Sequence, residues 1–132
     1  MQHLRTFIVE DSAIILESLV PTLEEWGDVK VVGVAADESS AVKWLATHAH
    51  EVDLLIVDIF LRSGSGLGVL RAANGLPAHA RRVVLTNYAT EPMRQKCRSI
   101  GADEVFDKST DLDALLAYCV RLRNDPGGSA AA

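Results

Sequence analysis

Leu54-Leu55-Ile56-Val57-Asp58 places a run of branched aliphatic side chains directly before a carboxylate. A strand that is apolar on both faces needs cover on both, which a parallel sheet between two helical layers provides. The pattern recurs on either side, in Thr6-Phe7-Ile8-Val9, Val29-Lys30-Val31-Val32-Gly33-Val34, Val83-Val84-Leu85-Thr86 and Glu104-Val105-Phe106, so the chain reads as five strands.

Helical segments separate them. Residues Ser12 to Trp26 carry Ile15, Leu19, Leu23 and Trp26 on one stripe closed by Gly27, with Pro21 predicting a kink or an irregular turn. Asp37 to Ala49 repeats Ala41, Leu45 and Ala49 at steps of four. Thr90-Glu91-Pro92 has the form of a helix N-cap with proline in the first turn, and that helix is expected to end at Gly101. A last helix starting at Thr110 or Asp111 gathers Leu112, Leu115, Leu116, Cys119 and Leu122 on one side. Strands alternating with helices predict an open α/β fold with right-handed crossovers. Its ligand site is expected beyond the carboxyl ends of the strands, at the switch point of strand order.

The gross composition agrees with one domain. The chain has 132 residues, 48% of them hydrophobic, and a formal net charge of -5, an ordinary balance that argues against direct nucleic-acid binding. No apolar run approaches the roughly 20 residues needed to span a bilayer, and the N-terminus lacks the regions of a signal peptide, so no membrane contact and a cytoplasmic location are expected. Cys97 and Cys119 have no CxxC spacing and read as core residues. Trp26 and Trp44 read as packing residues, and His3, His48, His50 and His79 as surface histidines. The domain is expected to occupy residues 1–123, with a disordered tail over 124–132.

The polar residues at the strand ends carry the chemistry. The first strand runs into Glu10-Asp11, the third into Asp58, the fourth ends in Thr86, and Lys108 follows the fifth. Carboxylates gathered at one edge repel by about 4 kcal/mol per close pair at an effective dielectric of about 20, so the cluster calls for a cation. Hard oxygen donors without thiolate or imidazole favour Mg2+, or Mn2+ in its place. Phosphoryl transfer to a carboxylate depends on positioning and charge neutralisation. Asp58 is placed centrally as the nucleophile, with Glu10 and Asp11 holding the metal and Lys108 and Thr86 meeting phosphoryl oxygens.

Over residues 4 to 123 these positions resemble the receiver domains of two-component response regulators. The resemblance implies a flavodoxin-like, doubly wound fold with a five-stranded parallel sheet in the order 2-1-3-4-5. It implies that Glu10, Asp11 and Asp58 bind the metal together with the backbone carbonyl of Phe60, that Asp58 is phosphorylated, and that Thr86 is the switch hydroxyl. Gly66 sits where the family's loop after the acceptor usually has glycine. The implied phosphoryl donor is a sensor histidine kinase or a histidine phosphotransfer protein, and acyl phosphate hydrolysis would be the domain's own slow activity. The sequence departs from the family in having Val105 at the usual aromatic switch position with Phe106 next to it, Ser109 after the lysine, and no proline around Leu61-Arg62. Phe60 and Tyr88 flank the acceptor, where bulky side chains would screen attacking water.

Other readings fit less well. Gly64, Gly66 and Gly68 approach a dinucleotide fingerprint, but Val69 stands where its third glycine is required, so a flexible loop is expected there. No GxxxxGK[ST] occurs. A haloacid-dehalogenase-like phosphohydrolase needs a second aspartate two residues after the nucleophile, where Phe60 stands. A degenerate receiver that binds a partner constitutively is disfavoured by intact Asp58 and Lys108. With only a short tail after the last helix, output is expected through contact, on a face from the fourth to the fifth helix where Arg94, Lys96 and Arg98 are displayed, or through homodimerisation on phosphorylation.

Overall fold

The computed structural model describes residues 3–124. Five parallel strands, β1 (Leu4–Val9), β2 (Val29–Ala35), β3 (Leu54–Val57), β4 (Arg81–Thr86) and β5 (Glu104–Asp107), lie in the order β2-β1-β3-β4-β5. They alternate with α1 (Ala13–Trp26), α2 (Glu38–His48), α3 (Gly66–Ala72), α4 (Glu91–Ser99) and α5 (Leu112–Asn124). Single 3-10 turns at Ala49–Glu51 and Ala73–Gly75 follow α2 and α3. The flavodoxin-like order puts β1 and β3 side by side at the switch point, so the ends of both open into one crevice.

Strand alternation divides the core into two layers. Phe7, Val9, Leu55, Val57, Val84 and Val105 face α2, α3 and α4, where Ala41, Leu45, Val69, Leu70 and Cys97 meet them. Leu4, Ile8, Leu54, Ile56, Val83, Leu85 and Phe106 face α1 and α5 through Leu19, Leu23, Leu115, Cys119 and Leu122. Cys97 and Cys119 are buried free thiols in opposite layers. Trp44 stacks on Phe7 at 4.1 Å, and a β-carbon at Gly33 would fall 2.7 Å from its ring, so that glycine is where β2 passes under the indole.

Each of the first four helices starts on a side chain that satisfies an otherwise unpaired amide. Ser12 Oγ accepts from Ile15 N at 3.2 Å, Asp37 Oδ1 from Ser40 N at 2.8 Å, Ser65 Oγ from Leu67 N at 3.0 Å and Thr90 Oγ1 from Met93 N at 3.3 Å.

Several expectations need correction. Helix α1 runs unbroken through Pro21, because Pro21 and Glu17 both lie on its exposed side, where the carbonyl that proline leaves unpaired is open to solvent. Trp26 is 66% exposed rather than packed. The buried stripe continues in steps of four to Gly27, which lies against Cys119 and Leu116 of α5 and leaves Trp26 turned outward. The glycine-rich segment is a loop only at Gly64, with φ of 78°, since Gly66 and Gly68 belong to α3. Helix α2 stops at His48, and α4 stops at Ser99, short of Gly101. Asn124 closes α5, while the expected tail beyond it lies outside the described residues. His3, His50 and His79 are exposed as expected, with His79 paired to Asp53 at 2.8 Å, whereas His48 is half-buried and stacks on Trp44 at 4.6 Å. Among the described residues no helix is long and apolar enough to cross a membrane.

Candidate functional site

The sheet's ladder continues past the strands and fixes the backbone of the site. Glu10 N donates to Ala35 O at 2.9 Å, Asp58 N to Val9 O at 3.0 Å and Lys108 N to Thr86 O at 3.0 Å. Gly66 holds the far side of Asp58: its amide donates to Ile59 O at 2.8 Å, and a β-carbon there would fall inside the Asp58 carbonyl. Only glycine tolerates that approach.

The side chains converge. Lys108 Nζ lies 2.6 Å from Glu10 Oε1 and 2.9 Å from Asp58 Oδ2, and Glu10 Oε2 accepts from Ser12 N at 3.0 Å. Burial disfavours the Lys108 charge, but its bonds to Asp58 and Glu10 outweigh that and hold its pKa above the usual lysine value. One carboxylate oxygen each from Glu10, Asp11 and Asp58 lies within 4.8 Å of the others. Three hard oxygens so spaced, with no sulfur or imidazole in the group, suit a divalent cation that keeps waters and accepts phosphate oxygens.

Thr86 is buried at the end of β4, where its Oγ1 accepts from Tyr88 N at 3.2 Å. Its proton donates to no acceptor among the described residues. Phe60 and Tyr88 meet edge to face at 4.5 Å and remain 52% and 58% exposed. Val105 packs in the layer of α4, whereas Phe106 points to the opposite layer, with Tyr118 at 5.8 Å.

Two contributors escaped the sequence reading. Glu38, at the start of α2, ties down the loop after Asp58: its Oε1 accepts from Ser65 N at 2.9 Å and its amide donates to Ser63 O at 3.2 Å. Nothing in its local sequence marks that role. Arg94 is not displayed on α4 but turned inward onto the carbonyls of Ala89 and Val105, at 3.0 and 2.7 Å. Lys96 and Arg98 do stay on the surface, and Arg98 lies 4.0 Å from Glu104.

Compared with known protein families, residues 6–119 match the response regulator receiver domain. The chain belongs to that family. The receiver domain is 28% identical over 105 residues to the response regulator UvrY of Escherichia coli, covering 80% of this chain and 47% of that protein. It is 33% identical over 110 residues to the protein-glutamate methylesterase/protein-glutamine glutaminase 5 of Myxococcus xanthus, covering 83% of this chain and 31% of that protein. The chain thus spans less than half the length of both relatives. Among solved structures, the response regulator domain of Thermotoga maritima CheB superposes with a TM-score of 0.77 at 20% identity, covering 96% of this chain and 98% of that one. This receiver domain is therefore a module of two-component signalling, of a family that binds Mg2+ in an acidic pocket, and its Glu10, Asp11 and Asp58 form an acidic cluster.

Proposed function

We propose that the domain is a switch thrown by phosphorylation of Asp58, with a sensor histidine kinase or a histidine phosphotransfer protein as donor. The observation that carries this reading is Lys108, whose ammonium holds Asp58 and Glu10 at once inside an acid cluster. A carboxylate oxygen of Asp58 attacks the phosphorus of a phosphohistidine, the P–N bond breaks, and the imidazole leaves with a proton from water. Glu10, Asp11, Asp58 and the Phe60 carbonyl would hold Mg2+ or Mn2+, which when bound neutralises charge on the acids and the transferred group. Lys108 pairs with one phosphoryl oxygen and the Thr86 hydroxyl, whose proton is uncommitted, donates to another.

The bond Thr86 now accepts from Tyr88 N links the hydroxyl to the loop that leads into α4. Drawing the hydroxyl toward a phosphoryl group biases that loop, with Val105 and Phe106 on the neighbouring strand as the packing that must respond. The face from α4 to α5 then changes for a downstream protein or for a second copy in a homodimer, in the cytoplasm. Slow hydrolysis by water attacking the acyl phosphate resets the switch and returns Asp58 as carboxylate. The test is incubation with a small acyl phosphate donor and Mg2+, read by intact mass. Gain of one phosphoryl group, abolished in Asp58→Ala, is expected; no gain in the unaltered protein, or undiminished gain in the variant, rejects the assignment.

A further inference from the structure

Two loops follow the neighbouring strands on one side of Asp58, residues 87–90 after β4 and 108–111 after β5, and Lys108 of the second binds Asp58. At their bases, Lys108 N donates to Thr86 O at the end of β4. Farther out, they are joined through one side chain. Arg94 lies one turn into α4, where its amide donates to Thr90 O at 2.8 Å, and its side chain is only 25% exposed. Its Nε donates to Ala89 O at 3.0 Å in the first loop, and its Nη1 donates to Val105 O at 2.7 Å on β5. Its Nη2 lies 3.5 Å from Asp111 Oδ2 in the second loop.

The contact continues toward Lys108. The same Asp111 Oδ2 accepts from Asp107 N at 2.9 Å, and Asp107 Oδ1 accepts from Ser109 N at 2.8 Å and Ser109 Oγ at 2.6 Å. These bonds brace the residues on both sides of Lys108, and Asp107 is held below the usual aspartate pKa by its bonds from Ser109. The two carbonyl bonds of Arg94 are shorter than its contact with Asp111, so direction matters more than charge. A planar fork with several donors can reach separate acceptors at once, whereas a lysine ammonium is a point charge on a flexible stem.

We propose that Arg94 is a positioning residue for phosphoryl transfer. It fixes the loop that follows Thr86 against the loop that bears Lys108, so that hydroxyl and ammonium reach the group on Asp58 together. This rests on the function proposed above and deepens it: Arg94 sits under the α4 surface, so a force on that helix reaches Lys108 through Arg94. Glu10, Asp11 and Asp58 come from β1 and β3, which Arg94 does not touch. Metal affinity and transfer rate should therefore separate.

The test compares the intact protein with Arg94→Lys, Arg94→Met and Arg98→Met. Phosphorylation by a small acyl phosphate at saturating Mg2+ is followed by intact mass, and Mg2+ binding by calorimetry. Both Arg94 variants should phosphorylate roughly tenfold or more slowly, as a small misplacement of catalytic groups implies. Their Mg2+ affinity should not fall, because Arg94 touches none of the acids and a displaced Lys108 would compete less for Glu10 and Asp58. Arg98→Met, which removes a surface cation from the same helix, should keep the original rate. Should Arg94→Met fail to fold, Arg94→Lys decides. An unchanged rate in Arg94→Lys, a matching loss of Mg2+ affinity, or equal slowing in Arg98→Met overturns the inference. If the unaltered protein takes up no phosphoryl group, the proposed function itself fails; if it does and Arg94→Lys keeps pace, only the role of Arg94 fails.

Discussion

Lys108 binds Glu10 and Asp58, the carboxylates best placed to hold a divalent cation, so ammonium and metal compete for the same oxygens. Replacing it with methionine removes the competitor and should tighten Mg2+ binding about tenfold in calorimetry. The same change leaves two buried acids unpaired, so without Mg2+ the variant should lose about 3 kcal/mol of stability in urea. Unchanged Mg2+ affinity would show that Lys108 does not contend for the metal's ligands. Phe60 and Tyr88 meet edge to face, and on the proposed function they would restrict the approach of water to an acyl phosphate on Asp58. Phe60→Asn combined with Tyr88→Glu substitutes polar groups that can orient a water, and the phosphorylated form should then decay about tenfold faster or more. An equal half-life by intact mass would remove the screening role.

At the scale of the elements, α3 shows local preference and tertiary fit in conflict. Alanine in place of Gly66 gains up to about 1 kcal/mol of helix propensity. Its β-carbon, however, would enter the Asp58 carbonyl and crowd the Ile59 Cα at 2.9 Å. Overpacking against backbone costs about 1–3 kcal/mol, so the clash wins. Gly66→Ala should lower the urea midpoint and slow phosphorylation, and a stabilised variant would refute the close approach. The same conflict explains what the sequence left hidden. The glycine triplet looked like a loop because three glycines in five residues lower helix propensity, yet Ser65 caps a short helix there and Glu38 braces it from α2. The bracing is a contact across 27 residues, and no local spacing encodes it. Strand identity and the placing of Glu10, Asp11, Asp58, Thr86 and Lys108 at strand ends were legible because burial on both faces forces continuous apolar runs, whose ends stand out as polar residues. Arg94 was misread as surface for the opposite reason: a charged residue on a polar helix carries no sign in sequence that carbonyls wait beneath it.

At the scale of the whole molecule, the end of the sheet away from Asp58 carries a carboxylate network that should respond to acid. There Asp53, just before β3, accepts from Arg5 N and Nε at 2.8 and 3.1 Å and lies 2.8 Å from His79 Nε2, joining the starts of β1, β3 and β4. Burial favours the neutral carboxyl, but the bonds from Arg5 and His79 prevail and hold the Asp53 pKa below its ordinary value. A depressed carboxylate binds its proton more weakly in the folded chain than in the unfolded one, so its contribution is complete above the unfolded aspartate value of about 3.9. That contribution fades as pH falls from there through the lower folded value. Urea unfolding from pH 7 down to pH 3 should therefore show stability falling most steeply below about pH 4. Asp53→Asn keeps the shape of the side chain but cannot titrate, so it should start less stable at neutral pH and lose less on acidification. The two curves should approach each other as acid is added; parallel curves would place the acid sensitivity elsewhere, with Asp37 and Asp107, whose pKa values are also lowered by local hydrogen bonds, next in line.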